Sequence, residues 1–481
     1  MNETPLAPVL FSFITYRREN SGGYLFNPYL FREVPLDEFE MLVVERCDGR
    51  TSAANIAGEL GKRFHTDQAT TTSKLLATFH KLNGYYALKW RAIEIAPSKG
   101  RWGDVLAGAQ ALAQEPKQDS EPRTAQRQTL SCHVDASQAG CLSAPLSIIW
   151  EITHACNLGC LHCLSACGRK APGELSTAEA KTLIDELAQL HVFSITLGGG
   201  EPLVRDDVFE LIEYATDKNM AVRLSTNGYA VTRETLRRLA DLNVFSVQVS
   251  VDGIGDTHDF LRNRPGAFDR AVNALRLFGE AGYYTFMTVT VSALNLNEIP
   301  SLVDLALQLG VATFKVAPYV PLGRAVQNDS VLRVSHAAIK DLASTMRQKE
   351  QLVGDQIYLQ VDGLFPWLFD PEPQHTSQAD GFGPGCSAGV SQVVVSYNGD
   401  VYPCPYMRDR SAGNVRQATL GDIWRNEDYF APIRMLDRSK IRGKCATCAY
   451  RPYYCTGGCR GAALAAYGDL YAEDPNCWLG E

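Results

Sequence analysis

Cys156, Cys160 and Cys163 stand as C-x3-C-x2-C in the segment CNLGCLHC, just after an apolar run that reads as a strand. Three thiolates converging from one loop hold three irons of a cubane four-iron four-sulfur cluster and leave the fourth iron open. An electron-transfer cluster normally has four protein ligands, so an open iron points to chelation of the amino and carboxylate groups of a substrate. A zinc or structural site of coincidental spacing is the competing reading of the triad alone. Cys167 lies too close in sequence to serve as fourth ligand without closing that position, and reads as a packing residue. A second group follows as Cys386-x12-Gly399-x4-Cys404, a gap, then Cys445-x2-Cys448-x6-Cys455-x3-Cys459-x17-Cys477. Two zinc ribbons are the bland alternative there.

Compartment decides how the 14 cysteines are read. The N-terminus, MNETPLAPVLFSFITYRREN, is acidic where a signal peptide would be basic, and no stretch approaches the roughly 20 apolar residues of a membrane span. A cytoplasmic protein is expected, with thiolates on metal rather than in disulfides. Cys47, in an apolar run, reads as a buried inert thiol. A net charge of -8 and the lack of a Lys/Arg-rich block exclude the footprint of a nucleic-acid binder. No membrane partner is expected either.

The elements that must position these residues divide the 481-residue chain. Residues 9–16 and 23–27 read as two strands around a polar turn, and three amphipathic helical patterns follow, at 36–49, 51–64 and 66–88. A hairpin with three short helices predicts a small winged-helix domain over 1–96. Residues 97–145, rich in Ala, Gln, Ser and Pro, read as a linker with at most one helix, in GDVLAGAQALAQ. From Leu146 a strand–helix alternation repeats about six times, with strands SIIWEIT, FSITLGG, AVRLST, FSVQVSV, YTFMTVTV and ATFKVAP. Short apolar strands between helices predict an α/β domain over 146–350 with a covered parallel sheet, either doubly wound or a full or partial barrel. Chemistry then belongs at the strands' carboxyl ends. A bridging segment spans 351–380. The Gly-, Pro-, Tyr- and Cys-rich region 381–481 shows little helical period and is expected to be held together by its metal sites.

The C-x3-C-x2-C loop after the first strand resembles the signature of the radical S-adenosylmethionine superfamily, with His162 where an aromatic residue is usual. Gly199-Gly200-Glu201-Pro202, after the second strand, is similar to the superfamily's GGEP motif, whose backbone and carboxylate hold the methionine amino group. Ser225-Thr226-Asn227-Gly228 and Ser250-Val251-Asp252-Gly253, ending the third and fourth strands, resemble segments that contact ribose and methionine. Arg262 stands where relatives place an arginine for the methionine carboxylate, and Arg264 is an equally reachable choice. The resemblance implies a partial (β/α)6 TIM-type barrel that binds S-adenosylmethionine through Gly199, Gly200, Glu201, Pro202, Ser225, Asn227, Ser250, Asp252 and Arg262.

The seven C-terminal cysteines resemble the SPASM domain, with x6 where x5 is usual. By that resemblance Cys445, Cys448, Cys455 and Cys477 ligate one auxiliary cluster. Cys386, Cys404 and Cys459 hold another, whose fourth ligand is a non-cysteine residue, substrate or solvent. Three 4Fe-4S clusters are thus implied. The N-terminal segment resembles PqqD-like domains that capture the leader of a ribosomal precursor peptide by adding it as a strand; a DNA-binding winged helix is the alternative. Together these resemblances imply an oxidoreductase that cleaves S-adenosylmethionine to a 5'-deoxyadenosyl radical. Its reaction is a thioether or carbon–carbon crosslink, or an epimerisation, in a peptide, with electrons from a flavodoxin- or ferredoxin-type donor. Two rivals remain open: a tetrapyrrole side-chain enzyme of haem synthesis, which IIWEITHACNLGCLHC also resembles, and a non-enzymatic iron–sulfur or zinc regulator. Tyr402, Tyr406 and Tyr454 near the auxiliary cysteines read as packing residues, with radical relay as the alternative.

Overall fold

A computed structural model of the chain describes residues 8–10, 14–20, 22–27, 32–48, 51, 53–84, 87–90, 142–360, 386–451, 455 and 457–479. The expected linker helix, Cys132, Cys141, Tyr454 and residues 361–380 of the bridging segment lie outside them. The described residues form two compact units, one before Ala144 and one from Ala144 onward.

In the first unit, strands β2 (Thr15–Glu19), β3 (Gly22–Asn27) and β4 (Arg32–Leu36) make an antiparallel sheet in that order, while β1 (Pro8–Leu10) pairs separately with β5 (Leu88–Trp90). The single strand expected over 9–16 is therefore two, and the expected hairpin gains a third strand. The polar run TYRRE hides its strand character because its inward residue is an arginine: Arg17 is buried and paired with Glu19 at 2.8 Å. Helices α1 (Glu38–Arg46), α2 (Ala53–Phe64) and α3 (Gln68–Gly84) lie where the apolar period places them. Asp37 and Glu40 close a reciprocal capping box at the start of α1. Leu25, Met41, Val43, Ile56 and Leu82 anchor the core, and Cys47 is buried with its thiol pushed up to about 12 by burial.

The second unit alternates β6 (Ser147–Thr153), α4 (Thr177–Gln189), β7 (Ser194–Gly199), α5 (Val208–Asp217), β8 (Ala221–Thr226), α6 (Arg233–Leu239) and β9 (Val244–Ser250). It continues through α7 (Asp256–Arg262), α8 (Ala267–Glu280), β10 (Tyr284–Thr290), α9 (Ile299–Gln308) and β11 (Thr313–Ala317). Strands β6 to β11 lie side by side in chain order, all parallel, and β12 (Tyr358–Gln360) extends the series. A doubly wound sheet reverses its strand order at a switch point; this one does not, so the carboxyl ends of six successive strands face one rim. No pairing among the described residues closes β6 onto the last strand. The outer edge of β6 is taken instead, in parallel, by β13 (Gln392–Val395) of the C-terminal segment.

Beyond β11 come α10 (Asp329–Leu332) and α11 (His336–Val353), the latter a helix of 18 residues where sequence reading assigned none. The C-terminal region also departs from expectation. Besides β14 (Asp400–Tyr402) and β15 (Gly413–Asn414) it holds α12 (Leu420–Trp424), α13 (Glu427–Arg434) and α14 (Arg460–Tyr467). Trp424 and Phe430 pack with ring centroids 5.6 Å apart, and the Arg434 guanidinium lies 4.3 Å from the Trp424 ring. A small apolar core therefore supports this region alongside its cysteines; five- and eight-residue helices are too short to show a period.

Candidate functional site

The first cysteine loop leaves β6 at Thr153 and folds back on itself: the Cys156 N–H donates to the Gly168 carbonyl (2.7 Å) and the Gly168 N–H to that of His154 (3.1 Å). The end of β7 clasps its start, with the Gly200 N–H on the Thr153 carbonyl (2.8 Å) and the Glu201 N–H on that of Ala155 (2.9 Å). A Cβ on Gly200 would stand 2.0 Å from the Ala155 oxygen, and one on Gly199 2.6 Å from the Thr153 oxygen. The paired glycines are thus demanded by backbone approach. Arg324 secures the other end of the loop, donating from its backbone N–H to the Cys163 carbonyl (2.9 Å), from Nη1 to that of Cys160 (2.8 Å) and from Nη2 to that of Cys167 (2.6 Å). Sequence reading passed over Arg324. Its signal was a cation just past a strand's carboxyl end, in the otherwise uncharged VAPYVPLGRA.

Two of the three sulfurs have a donor: Asn227 Nδ2 lies 3.8 Å from Cys156 Sγ, and Arg262 Nη1 lies 3.6 Å from Cys160 Sγ. Neighbouring Cys167 favours Cys163 as thiolate. Burial otherwise opposes ionisation, raising Cys160 and pushing Cys156 up to about 11. Donors on sulfur plus a nearby guanidinium are what a thiolate-held cluster's negative charge requires, so the residues fit such a cluster. Cys167, read as packing, is indeed buried, and it also serves Cys163.

Asp252, past the end of β9, gathers three residues. Its Oδ2 lies 2.6 Å from Arg262 Nη2 and 3.1 Å from His162 Nε2, and its Oδ1 accepts from the Thr290 N–H (2.8 Å). Burial alone would raise this carboxyl, but Arg262 and then His162 outweigh it and hold it well below the usual carboxylate range. Arg262 is therefore the buried arginine of the site, whereas Arg264 is exposed and donates to the Tyr229 hydroxyl at 3.1 Å. His258, fully buried, accepts the Asp252 N–H on Nδ1 (3.0 Å), so its neutral ring carries hydrogen on Nε2.

Burial, then Arg262, moves His258 from 6.5 to about 4. The unfolded chain binds this proton first on acidification, so folded stability is expected to drop by about 1.5 kcal/mol between pH 6.5 and pH 5. A His258→Asn protein, which keeps an acceptor near Nδ1, should show a flatter dependence in denaturant melts; equal slopes would overturn the assignment.

Glu201 follows the end of β7, directly before the short turn at Pro202. It is fully buried, with Oε1 accepting from the Thr226 hydroxyl (2.8 Å) and the Leu203 N–H (3.1 Å), and Oε2 from the Asn227 N–H (2.7 Å). The carboxylate thus ties the end of β7 to that of β8 and orients Asn227 toward Cys156. Pro202 opens the short helical turn that follows. Ser225 accepts from Gln248 Nε2 at 3.1 Å, and Ser250 closes β9, half-buried at the same rim.

At the other site Cys459 caps α14, its Sγ accepting the Ala462 N–H at 3.3 Å. A Cβ on Gly461 would lie 3.1 Å from Cys404 Sγ, and the Cys404 thiol is pushed up to about 12 by burial and by neighbouring Cys386. Burial, Asp474 and then Cys386 raise the Cys459 thiol, with Cys404 contributing. Cys455 Sγ accepts the Gly458 N–H (3.2 Å), and Cys445 Sγ lies 3.9 Å from the Gly457 oxygen. Burial pushes Cys477 up to about 12, with Cys445 contributing. Cys448 accepts the Arg451 N–H on its carbonyl at 3.1 Å. Buried thiols of this kind release protons when they take up metal. The two cysteine regions are linked by Arg408, which forks onto Glu151 of β6 at 2.9 and 2.6 Å while its Nε donates to the Pro405 carbonyl (2.8 Å). Tyr402 packs 5.4 Å from that guanidinium, and Tyr406 packs against Gly461.

Residues 150–306 match the Radical SAM superfamily, and residues 386–449 match SPASM, an iron–sulfur cluster-binding domain. The chain is 35% identical over 357 residues to an AdoMet-dependent heme synthase of Methanosarcina barkeri, covering 70% of this chain and 97% of that protein. It is also 35% identical over 355 residues to the mycofactocin maturase MftC of Mycolicibacterium smegmatis, covering 70% and 83%. The crystal structure of Streptococcus suis SuiB bound to the precursor peptide SuiA aligns over 98% of this chain and all of that one, with TM-score 0.68 and 19% identity, a likeness of fold. With the cysteine loop, the paired glycines and the strand-end residues gathered at one rim, the chain is an enzyme that belongs to the radical SAM superfamily.

Proposed function

We propose that this enzyme modifies a ribosomally made peptide, forming a crosslink or epimerising a residue. The observation that carries the reading is the α-helical and β-sheet unit before Ala144: a fold likeness to SuiB spans 98% of the chain, this unit included, and the mycofactocin maturase relative supports a peptide substrate. In this reading residues 1–96 recognise a leader, 146–350 form the radical SAM barrel, and 381–481 form the SPASM domain. Cys156, Cys160 and Cys163 hold the open cluster. Cys386, Cys404 and Cys459 hold one auxiliary cluster, and Cys445, Cys448, Cys455 and Cys477 the other. When bound, the first cluster supplies the electron that splits S-adenosylmethionine and yields a 5'-deoxyadenosyl radical.

The chain's own residues set the stage for that step. Asn227 and Arg262 donate to ligand sulfurs, Gly199 and Gly200 present bare backbone, and Arg262, held by Asp252 and Cys160, acts on a methionine carboxylate through its charge. Ser225, Ser250 and Pro202 complete the rim. On the leader side, β4 offers a poor edge for strand addition: Pro35 has no N–H, and its carbonyl accepts from Lys81 Nζ at 2.9 Å. The opposite edge, β2, is the one we assign to the leader. A cytoplasmic location and a flavodoxin- or ferredoxin-type donor complete the proposal. Among the described residues no helix is long and apolar enough to cross a membrane.

The heme synthase relative, equally identical, favours a second reading in which the substrate is a tetrapyrrole. Anaerobic turnover separates them. Peptide maturation predicts 5'-deoxyadenosine formed in step with loss of two hydrogens from a precursor peptide for a crosslink, or with deuterium uptake from D2O for an epimerisation, either one lost when the leader is removed. Side-chain loss from an iron porphyrin, with no peptide change, would overturn it.

A further inference from the structure

The short helical segment Gly323–Asn328, which follows β11, grips the first cysteine loop by its backbone. Gly323 has φ +58°, and a Cβ there would stand 2.7 Å from the Cys163 oxygen, so the two backbones are in direct contact. Besides the three carbonyls that Arg324 takes, those of Cys160, Cys163 and Cys167, Asn328 Nδ2 takes that of Leu161 at 3.1 Å. Cys160 is thus held by two arginines, Arg262 at its sulfur and Arg324 at its carbonyl. Carbonyls removed from water need donors. A guanidinium meets several at once because its donors are fixed in one planar fork, which an ammonium does not offer.

Arg324 makes no ion pair among the described residues. Three carboxylates touch the loop, and each has a cation of its own. Glu151 accepts from the Ser165 hydroxyl (2.9 Å) and is held by Arg408. Asp252 lies beside His162 and is held by Arg262. Glu174 accepts the His154 N–H (2.9 Å) and has Lys170 Nζ at 4.0 Å. An arginine stays charged in a protein, so the Arg324 charge rests on the backbone of the cysteine loop. We propose that Arg324 is a positioning residue for the first cluster: it fixes the loop that presents Cys160 and Cys163, and its guanidinium raises the potential at which that cluster takes up its electron.

The inference rests on the assignment of Cys156, Cys160 and Cys163 to that cluster. Charge and hydrogen bonding around a cluster set its potential, and a cation favours the reduced, more negative state. The clamp, in contrast, is a property of the chain with or without iron. The two parts therefore have separate readouts.

The test compares full-length parent, Arg324→Lys, Arg324→Gln and Asn328→Ala. Hydrogen exchange of the iron-free chains reads the clamp. Amides of 156–168 are expected to exchange on the order of tenfold faster in both Arg324 variants, which lose hydrogen bonds from a charged group, and less so in Asn328→Ala. Exchange equal to the parent in both Arg324 variants overturns the positioning role. Redox titration of the reconstituted chains reads the charge, in the electron paramagnetic resonance signal that changes on adding S-adenosylmethionine. Arg324→Gln is expected to shift the one-electron equilibrium about tenfold toward the oxidised form, about 59 mV lower, while Arg324→Lys and Asn328→Ala stay near the parent. An unmoved midpoint in Arg324→Gln, or an equal fall in Arg324→Lys, overturns the electrostatic role. If Arg324→Gln takes up no iron, uptake restored in Arg324→Lys supports that role and uptake equally absent overturns it. A parent without an S-adenosylmethionine-responsive signal overturns the cluster reading, and hydrogen exchange then decides the clamp.

Discussion

Gly200→Ala is expected to abolish reductive cleavage of S-adenosylmethionine while leaving the C-terminal iron in place. The added methyl would meet the Ala155 oxygen at 2.0 Å and the Ala155 carbonyl carbon at 2.7 Å, both backbone atoms that cannot swing aside. The cysteine loop must then lift off β7, carrying Cys156 away from Cys160 and Cys163. Misplacement of reacting groups by an ångström costs about 100-fold, and displacing a cluster ligand costs more. Anaerobic reconstitution should show about four irons fewer per chain, no 5'-deoxyadenosine, and an otherwise folded protein by circular dichroism. Parent levels of 5'-deoxyadenosine would mean that the close approach of loop and strand is dispensable.

Asp252→Ala should be the most destabilising single change at the rim. It leaves Arg262 buried without its carboxylate, and breaking a buried pair by removing one partner costs on the order of 3–5 kcal/mol. It also frees His162, the residue next to Cys163, and orphans the Thr290 N–H. Asp252→Asn keeps an acceptor for Thr290 and loses only the charge, so it should fall between parent and alanine variant. The lost charge also leaves the Arg262 cation beside Cys160 uncompensated, which should raise the potential of the first cluster in an Asp252→Asn protein that retains its iron. Denaturant midpoints and a redox titration read these effects separately. An Asp252→Ala protein as stable as the parent would show that Arg262 does not depend on this partner.

How far these features were legible in the sequence follows from what each depends on. The six strands of the alternation were visible because they are nearly continuous apolar runs, as strands covered on both faces must be. The loop cysteines and the strand-end segments were visible because thiols, paired glycines and short polar runs are unusual at such places. Arg262 was chosen but not separable from Arg264; only the turn of α7 buries one and exposes the other. That Thr226 and Asn227 bond the Glu201 carboxylate from the end of the next strand is a contact no linear pattern tells. Arg17 hid a strand because an inward arginine needs a partner two residues on, which an apolar criterion ignores. Arg324 and Arg408 act on residues 157 or more positions away, a separation that motif spacing does not reach.

The parallel pairing of β13 with β6 has a further consequence, for assembly in time. Gln392 and Ser147 are partners across 245 residues, so the strand that launches the first cysteine loop has a bare edge until its distant neighbour has been made. At about 5–20 residues per second, translation of the intervening chain occupies on the order of ten to fifty seconds. During that interval β6 has β7 as its strand partner on one side and an open edge on the other, on a nascent sheet of high contact order that folds slowly and invites edge-to-edge association. The strand that launches the first cysteine loop thus becomes an interior strand only once the C-terminal region has begun to emerge.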